Sequence, residues 1–328
     1  MAFLKLDQLP DFSWKYAKNR WADFVELICI DNIDKEVSLN DIMNIYVNEN
    51  FFSTADDESP SEKDNKYFLL FSETFLLIKS RSQLLKKYYP FEFVNKSTIK
   101  MSLLTNDNLL YIYLLLSSNT SCLEGSLASK FTNSFEGFSQ RIMGYLYPTF
   151  QSYLFGTSRT RGDLFYGGTL RDRLDRLSKC LNTNLRKNET INRHNDEFSG
   201  DRKIDVVAFY QIDCESYNAP FIPVSIGQCS CSYEEWEDKQ SSVFNRRFKN
   251  MFEEVATCHE YMFIPFSLRG INGKWASDDI SSIQTIVIDR FRFFSILDLS
   301  KISADVIITD EIKDCLKNAL EQLYAAFQ

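Results

Sequence analysis

Two side chains pose the chemical question in this 328-residue sequence. One is the carboxylate of Asp205, within Gly200-Asp201-Arg202-Lys203-Ile204-Asp205-Val206-Val207-Ala208-Phe209. The other is the carboxamide of Gln228, within Ile226-Gly227-Gln228-Cys229-Ser230-Cys231. Ile204–Tyr210 and Phe221–Cys229 are rich in β-branched and aromatic residues, which predicts two strands. The polar, turn-forming run Asp213–Pro220 predicts the loop between them. Folded about Ser216 and Tyr217 as an antiparallel hairpin, the segment sets Asp205 opposite Gln228. An acid and an amide inside an apolar sheet are costly unless something compensates them. A hard divalent cation does so with oxygen ligands, since Mg²⁺ takes one or two carboxylates plus waters and phosphate.

This pair resembles the active-site hairpin of the restriction-endonuclease-like phosphodiesterases, the PD-(D/E)XK superfamily. Its nearest counterpart is the Mrr-type branch, in which glutamine replaces the acid of the second half-motif. In that pattern a Gly-Asp turn leads to the metal-binding Asp, and a second strand ends in Gln-x-Lys. Asp205 matches the Asp and Gln228 the Gln, but Ser230 stands where the Lys belongs. The likeness covers roughly residues 165–265. It implies an αβββαβ core with a mixed sheet, Mg²⁺ or Mn²⁺ as cofactor, and DNA as substrate. It also implies metal ligation by Asp205, Gln228 and the strand carbonyl of Cys229. Bacterial defence against foreign DNA is the setting expected from it, beside an ATPase or other defence-system protein, and dimerisation is common among such enzymes.

A second carboxylate in that superfamily often comes from the first core helix. Asp172 and Asp175 are the choices on the helix expected over Thr169–Leu181, with Asp172 nearer the Gly-rich turn. The competing reading of Asp172 is an i,i+4 partner for Arg176 on a wet surface. Asp201 serves the turn before the strand. Lys239, a short step beyond Gln228, is the candidate to replace the missing lysine, because a flexible ammonium needs only to aim charge at a phosphate. Its rival role is an exposed pair with Glu235. Arg246, Arg247 and Lys249 follow on the same expected helix.

The formal charge of -8 speaks against a general DNA-coating protein, but residues 1–65 hold 14 acids and 6 bases and so carry the whole deficit. Residues 157–203 hold 11 Lys or Arg against 7 acids and run directly into Asp205, where a phosphate backbone would need them. Cys229 and Cys231 with Cys214, Cys258 and His259 lack the paired spacing of structural zinc. The chain has only 2 His, which weighs against His-based nucleases and Ser-His-Asp hydrolases. No phosphate-binding Gly-x₄-Gly-Lys-Ser/Thr loop occurs.

With 44% hydrophobic and 25% charged residues, the composition is that of a globular chain. No secretory leader pattern opens it, and its 8 Cys lack a disulfide framework, so a cytoplasmic protein without a membrane span is expected. The apolar runs Tyr67–Ile78 and Leu109–Leu116 are too short to cross a bilayer. Helices are expected at Trp14–Ile30, Asp41–Tyr46, Tyr67–Lys87, Asn108–Ser118, Phe131–Phe150 and Thr169–Leu181. Two more are expected, from the Ser232 capping box to about Val255 and over Glu311–Phe327. Ser53–Lys66 reads as an exposed acidic loop or a disordered insertion. Further strands are expected at Tyr261–Phe266 and Thr285–Asp289, and the first strand of the core between residues 182 and 200. The domain reading is a mostly helical docking or recognition region, 1–125, followed by an α/β region, 126–328.

Overall fold

The structure is a computed structural model that describes residues 9–11, 16–48, 60–155, 163–186, 204–212, 219–240, 245–275 and 283–325. Among these residues the elements run α1 (Ala17–Asp31), β1 (Glu36–Ser38), α2 (Leu39–Asn48), α3 (Pro60–Leu85), β2 (Phe91–Asn95), β3 (Thr98–Met101), α4 (Asn106–Ser117) and α5 (Gly125–Leu146). They continue with β4 (Gln151–Leu154), α6 (Leu170–Cys180), β5 (Val206–Phe209), β6 (Val224–Cys229), α7 (Trp236–Gln240), α8 (Asn245–Met251) and β7 (His259–Phe263). The chain closes with β8 (Ile286–Ile288), α9 (Arg290–Leu299), α10 (Ala304–Ile307) and α11 (Asp310–Ala325). Contacts divide the molecule into two units. One comprises Met1–Phe131, Phe266–Ile280 and Ser303–Gln328, the other Thr132–Pro265 and Ser281–Ile302. Where the linear reading keeps 126–328 together, the contacts group the last two helices with the N-terminal residues.

The first unit is built on α1, α3 and α4. Leu110–Leu116 of α4 are buried on every side, which makes α4 a core helix rather than an amphipathic one. A capping box starts it, with Thr105 Oγ1 accepting from the Asn108 N–H and Asn108 Oδ1 accepting from the Thr105 N–H. Trp21 packs edge-on against Phe24 and Phe71. Inside this core lies an ion network. Arg81, 1% exposed, reaches Asp23 at 2.7 Å and Glu26 at 2.9 Å, both fully buried. The hydroxyls of Tyr89 and Tyr111 donate to the two oxygens of Glu26 at 2.8 and 2.7 Å. The unit is less purely helical than the sequence suggests. A three-stranded antiparallel sheet, order β1-β3-β2, buries Val37 opposite Ile99. The acidic stretch also differs from the expected loop, because α3 begins at Pro60 and takes in Ser61–Lys66. Pro is well suited to a first helical position. Residues 53–59 lie outside the described residues.

The second unit carries a mixed five-stranded sheet, order β4-β5-β6-β7-β8, antiparallel through β6 and parallel beyond it. The strand beside β5 is β4, at Gln151–Leu154 rather than between residues 182 and 200; of that stretch, 187–200 lie outside the described residues. Four residues without a β-branched side chain make a weak strand signal. Phe135 and Phe138 of α5 pack with Phe293 of α9, which stacks on Phe263 of β7. Gly227 permits this approach: a Cβ there would lie 2.6 Å from the Phe263 ring and 3.3 Å from Met143. The helix expected from Ser232 starts later, at Trp236, because the Ser232 hydroxyl accepts from the Glu234 and Glu235 N–H groups within a turn. Among the described residues it forms two pieces, α7 and α8, with 241–244 outside them. No helix among the described residues is long and apolar enough to cross a membrane.

Candidate functional site

The β5–β6 hairpin has the register read from the sequence, pairing Val206 with Gly227 and Phe209 with Val224. The next step would set Asp205 against Gln228. There the ladder slips, because the Asp205 N–H donates to the Gly227 carbonyl at 2.9 Å, one residue out of step. Such a step turns the strand end and re-aims a side chain. Its result is a short contact: Asp205 Oδ2 accepts the N–H of Cys229 at 2.6 Å. On the other side of Asp205, its carbonyl accepts from the Phe155 N–H at 2.8 Å, just past β4. The strand ends thus clamp Asp205 from both flanks. Asp205 and Gln228 are 8% and 4% exposed, so both are buried polar groups at one strand end.

Two further charges, those of Glu136 and Lys239, and two thiols gather around that end. Burial pushes the Cys229 thiol well above the usual range, and the carboxylates of Asp205 and Glu136 push it further. The Cys231 thiol is raised to about 12 by burial, with Glu136 and Asp205 raising it and the Lys239 cation opposing them. Part of each residue reaches solvent, but the sulfurs are enclosed. The Thr132 hydroxyl, on α5, bonds the Cys231 thiol, and Ser139, also on α5, lies near the Cys229 thiol. So α5 faces the end of β6, and its Glu136 brings a second carboxylate to Asp205's neighbourhood. Sequence reasoning missed Glu136 because it took α6 for the first core helix. The signal was an acid held between the core residues Phe135 and Phe138 on the helix entering the first strand of the sheet.

Lys239 sits on α7 with its Nζ 3.0 Å from Glu235 Oε2, the i,i+4 pair foreseen as its rival role. Half-exposed pairs of this kind are weak, on the order of a few tenths of a kcal/mol, so the pair does not bar the ammonium from a phosphate. Ser230, in the expected lysine position, is 1% exposed and its N–H donates to the Phe263 carbonyl at 3.0 Å.

Asp172 is engaged elsewhere. As the third residue of α6 it closes a capping box, accepting from the Thr169 N–H at 2.7 Å and the Thr169 hydroxyl at 2.8 Å. Those hydrogen bonds, then Arg176 and Arg171, hold its carboxyl below the usual range. Two cations of the basic stretch are also engaged: Arg176 donates to the Tyr166 and Gly167 carbonyls, and Arg186 to that of Phe252. Lys187, Arg193, Arg202, Lys203 and the Arg-rich turn lie outside the described residues, as do Asp201, Cys214, His194 and the side chains of Arg246 and Arg247.

Asp205, Glu136, the Gln228 side chain and the Cys229 carbonyl offer oxygen donors, the type that Mg²⁺ and Mn²⁺ prefer. Among the described residues no three His, Cys, Asp or Glu side chains gather into a metal-ligating group. A site of two carboxylates completed by amide, carbonyl and water is not of that type. Burial raises the thiols of Cys229, Cys231 and Cys258 above the usual range. Compared with family models, with curated proteins and with solved structures, the chain has no match.

Proposed function

We propose that this protein is a metal-dependent nuclease of the restriction-endonuclease-like kind, hydrolysing DNA phosphodiester bonds in cytoplasmic defence against foreign DNA. The observation that carries the reading is the buried Asp205 carboxylate seated on the Cys229 amide beside Gln228, with the charges of Glu136 and Lys239 bearing on the same strand end. The element order supports it: α5, β4, β5, β6, α7–α8, β7 runs helix, three antiparallel strands, helix, parallel strand, with α6 inserted between β4 and β5. Asp205 and Gln228 would hold the cation with the Cys229 carbonyl, and Glu136 would complete the set. A bound Mg²⁺ or Mn²⁺ lowers the pKa of a coordinated water and offsets charge building on the phosphoryl group. Asp205, fixed by the Cys229 N–H, cannot swing away from the phosphate. Gln228 offers a neutral oxygen and so adds no repulsion to an anionic substrate. Lys239 swings from Glu235 to place positive charge on the scissile phosphate.

Purified protein incubated with plasmid and Mn²⁺ should nick or linearise it, and Asp205→Ala should reduce cutting by at least about a hundredfold, the scale of losing a charge-stabilising group. Cleavage that is absent, or indifferent to the substitution, removes the nuclease reading. A second reading, an inactive nuclease-fold subunit that binds DNA or assembles with a defence-system ATPase or a second copy of itself, is favoured by the buried Ser230 in the lysine position. It expects salt-sensitive DNA binding with no metal-dependent cutting.

A further inference from the structure

At the opposite end of β5 and β6 from Asp205, four near-parallel rings form a continuous row. Tyr210, just after β5, lies on Phe150 with centroids 5.9 Å apart and planes 13° from parallel. Phe150 lies on Tyr147 at 4.6 Å and 24°, and His259 continues the row edge to edge with Tyr147, at 6.3 Å with planes 12° from parallel. The rings come from the end of β5, the turn after α5 and the start of β7, so separate elements hold the order. Polar bonds pin it: the Tyr147 hydroxyl is 2.9 Å from His259 Nδ1 and 2.5 Å from the Tyr261 hydroxyl. The Tyr210 N–H donates to the Pro223 carbonyl at 3.1 Å.

A stack serving only the core would be covered, and this one is not. Tyr210 is 40% exposed, His259 is exposed, and Tyr147 and Phe150 are half-buried. Both terminal rings therefore reach solvent while held rigid by their neighbours. Rigid aromatic faces suit flat π-systems, and every nucleobase has one. Pre-organisation removes the ordering cost of the plates. A cation stands at the His259 end: Lys249 Nζ is 2.9 Å from Thr257 Oγ1 and its charge acts on the adjacent Cys258 thiol, as does that of the acid Glu260. Along α5, Glu136 and Tyr147 are separated by roughly 16 Å at 1.5 Å per residue, a span that a few nucleotides cover.

We propose that the stack is a platform for single-stranded DNA, with unpaired bases lying on Tyr210 and His259 and Lys249 meeting the backbone. This rests on the nuclease reading and names the form of strand that the same unit grips. The test is fluorescence anisotropy of full-length protein with labelled oligo(dT) in EDTA, where cutting is off. Tyr210→Ala and His259→Ala should each weaken binding roughly tenfold, the scale of one lost stacking contact. Tyr210→Trp, which keeps a ring, should bind as tightly as the wild type, and its melting curve checks the fold. An oligomer with abasic sites should bind poorly. Equal binding by the abasic oligomer, unchanged affinity in both alanine variants, or a tenfold preference for oligo(U) or duplex DNA would overturn the platform. Base-dependent binding by a protein that does not cut plasmid sinks only the nuclease reading; cutting without base-dependent binding sinks only the platform.

Discussion

Single side chains here are read by what already holds them. Asp172 and Asp205 are both acids placed near the start of an element, yet one closes a helix cap and the other sits buried at a hairpin end. Spacing alone does not separate those fates, since a cap acid and a ligand acid look alike in one dimension. Lys239 shows the reverse: its pair with Glu235 was legible from i,i+4 spacing, and so is its reach toward Cys231 once α7 is placed. The most demanding residue is Arg81, whose guanidinium serves two fully buried carboxylates. Replacing it by Met leaves Asp23 and Glu26 facing each other without a cation. Such a loss costs about 3–5 kcal/mol, and urea unfolding of Arg81→Met should show a lowered midpoint of that size with little change in slope.

Elements with a strong period or a dense β-branched run were legible. The β5–β6 hairpin, α1, α6 and the closing helix α11 fall within a few residues of their expected places, because patterning and burial agree there. The misses have common causes. Strand β4 is too short to carry alternation, and β1–β3 are short pieces whose pairing is a tertiary fact. The site was legible to the same degree: its two strand residues stood out, while Glu136 depended on knowing which helix leads into the sheet. Gly227 ties the hairpin to α5 and β7 by having no side chain. Gly227→Ala pushes a methyl into the Phe263 ring, which is pinned between Tyr261 and Phe293. Overpacking of this kind costs roughly 1–3 kcal/mol, so the thermal midpoint should fall, and Phe263→Leu in the same chain should recover part of the loss.

Taken whole, the chain is two units, and the first is discontinuous. Helix α4 is apolar all round and packs against α10 and α11, the last elements of the sequence, with Asn106 hydrogen-bonded to Asp305. Removing 303–328 uncovers α4, and limited proteolysis of that truncation should cleave within residues 60–117 far faster than in the full chain. Protection equal to that of the full chain would show that the first unit stands without its final helices. The concentration of acid in residues 1–65 also keeps the negative field on the first unit and leaves the rest of the chain neutral overall.

That discontinuity has a consequence for biosynthesis. A ribosome makes the α4 segment about two hundred residues before the helices that cover it, which at ~5–20 residues per second is a wait of ten seconds or more. Through that interval a leucine- and tyrosine-rich surface must be shielded by something other than its final partners. The N-terminal half is therefore the part of this polypeptide with the greatest need of a chaperone, although it is translated first.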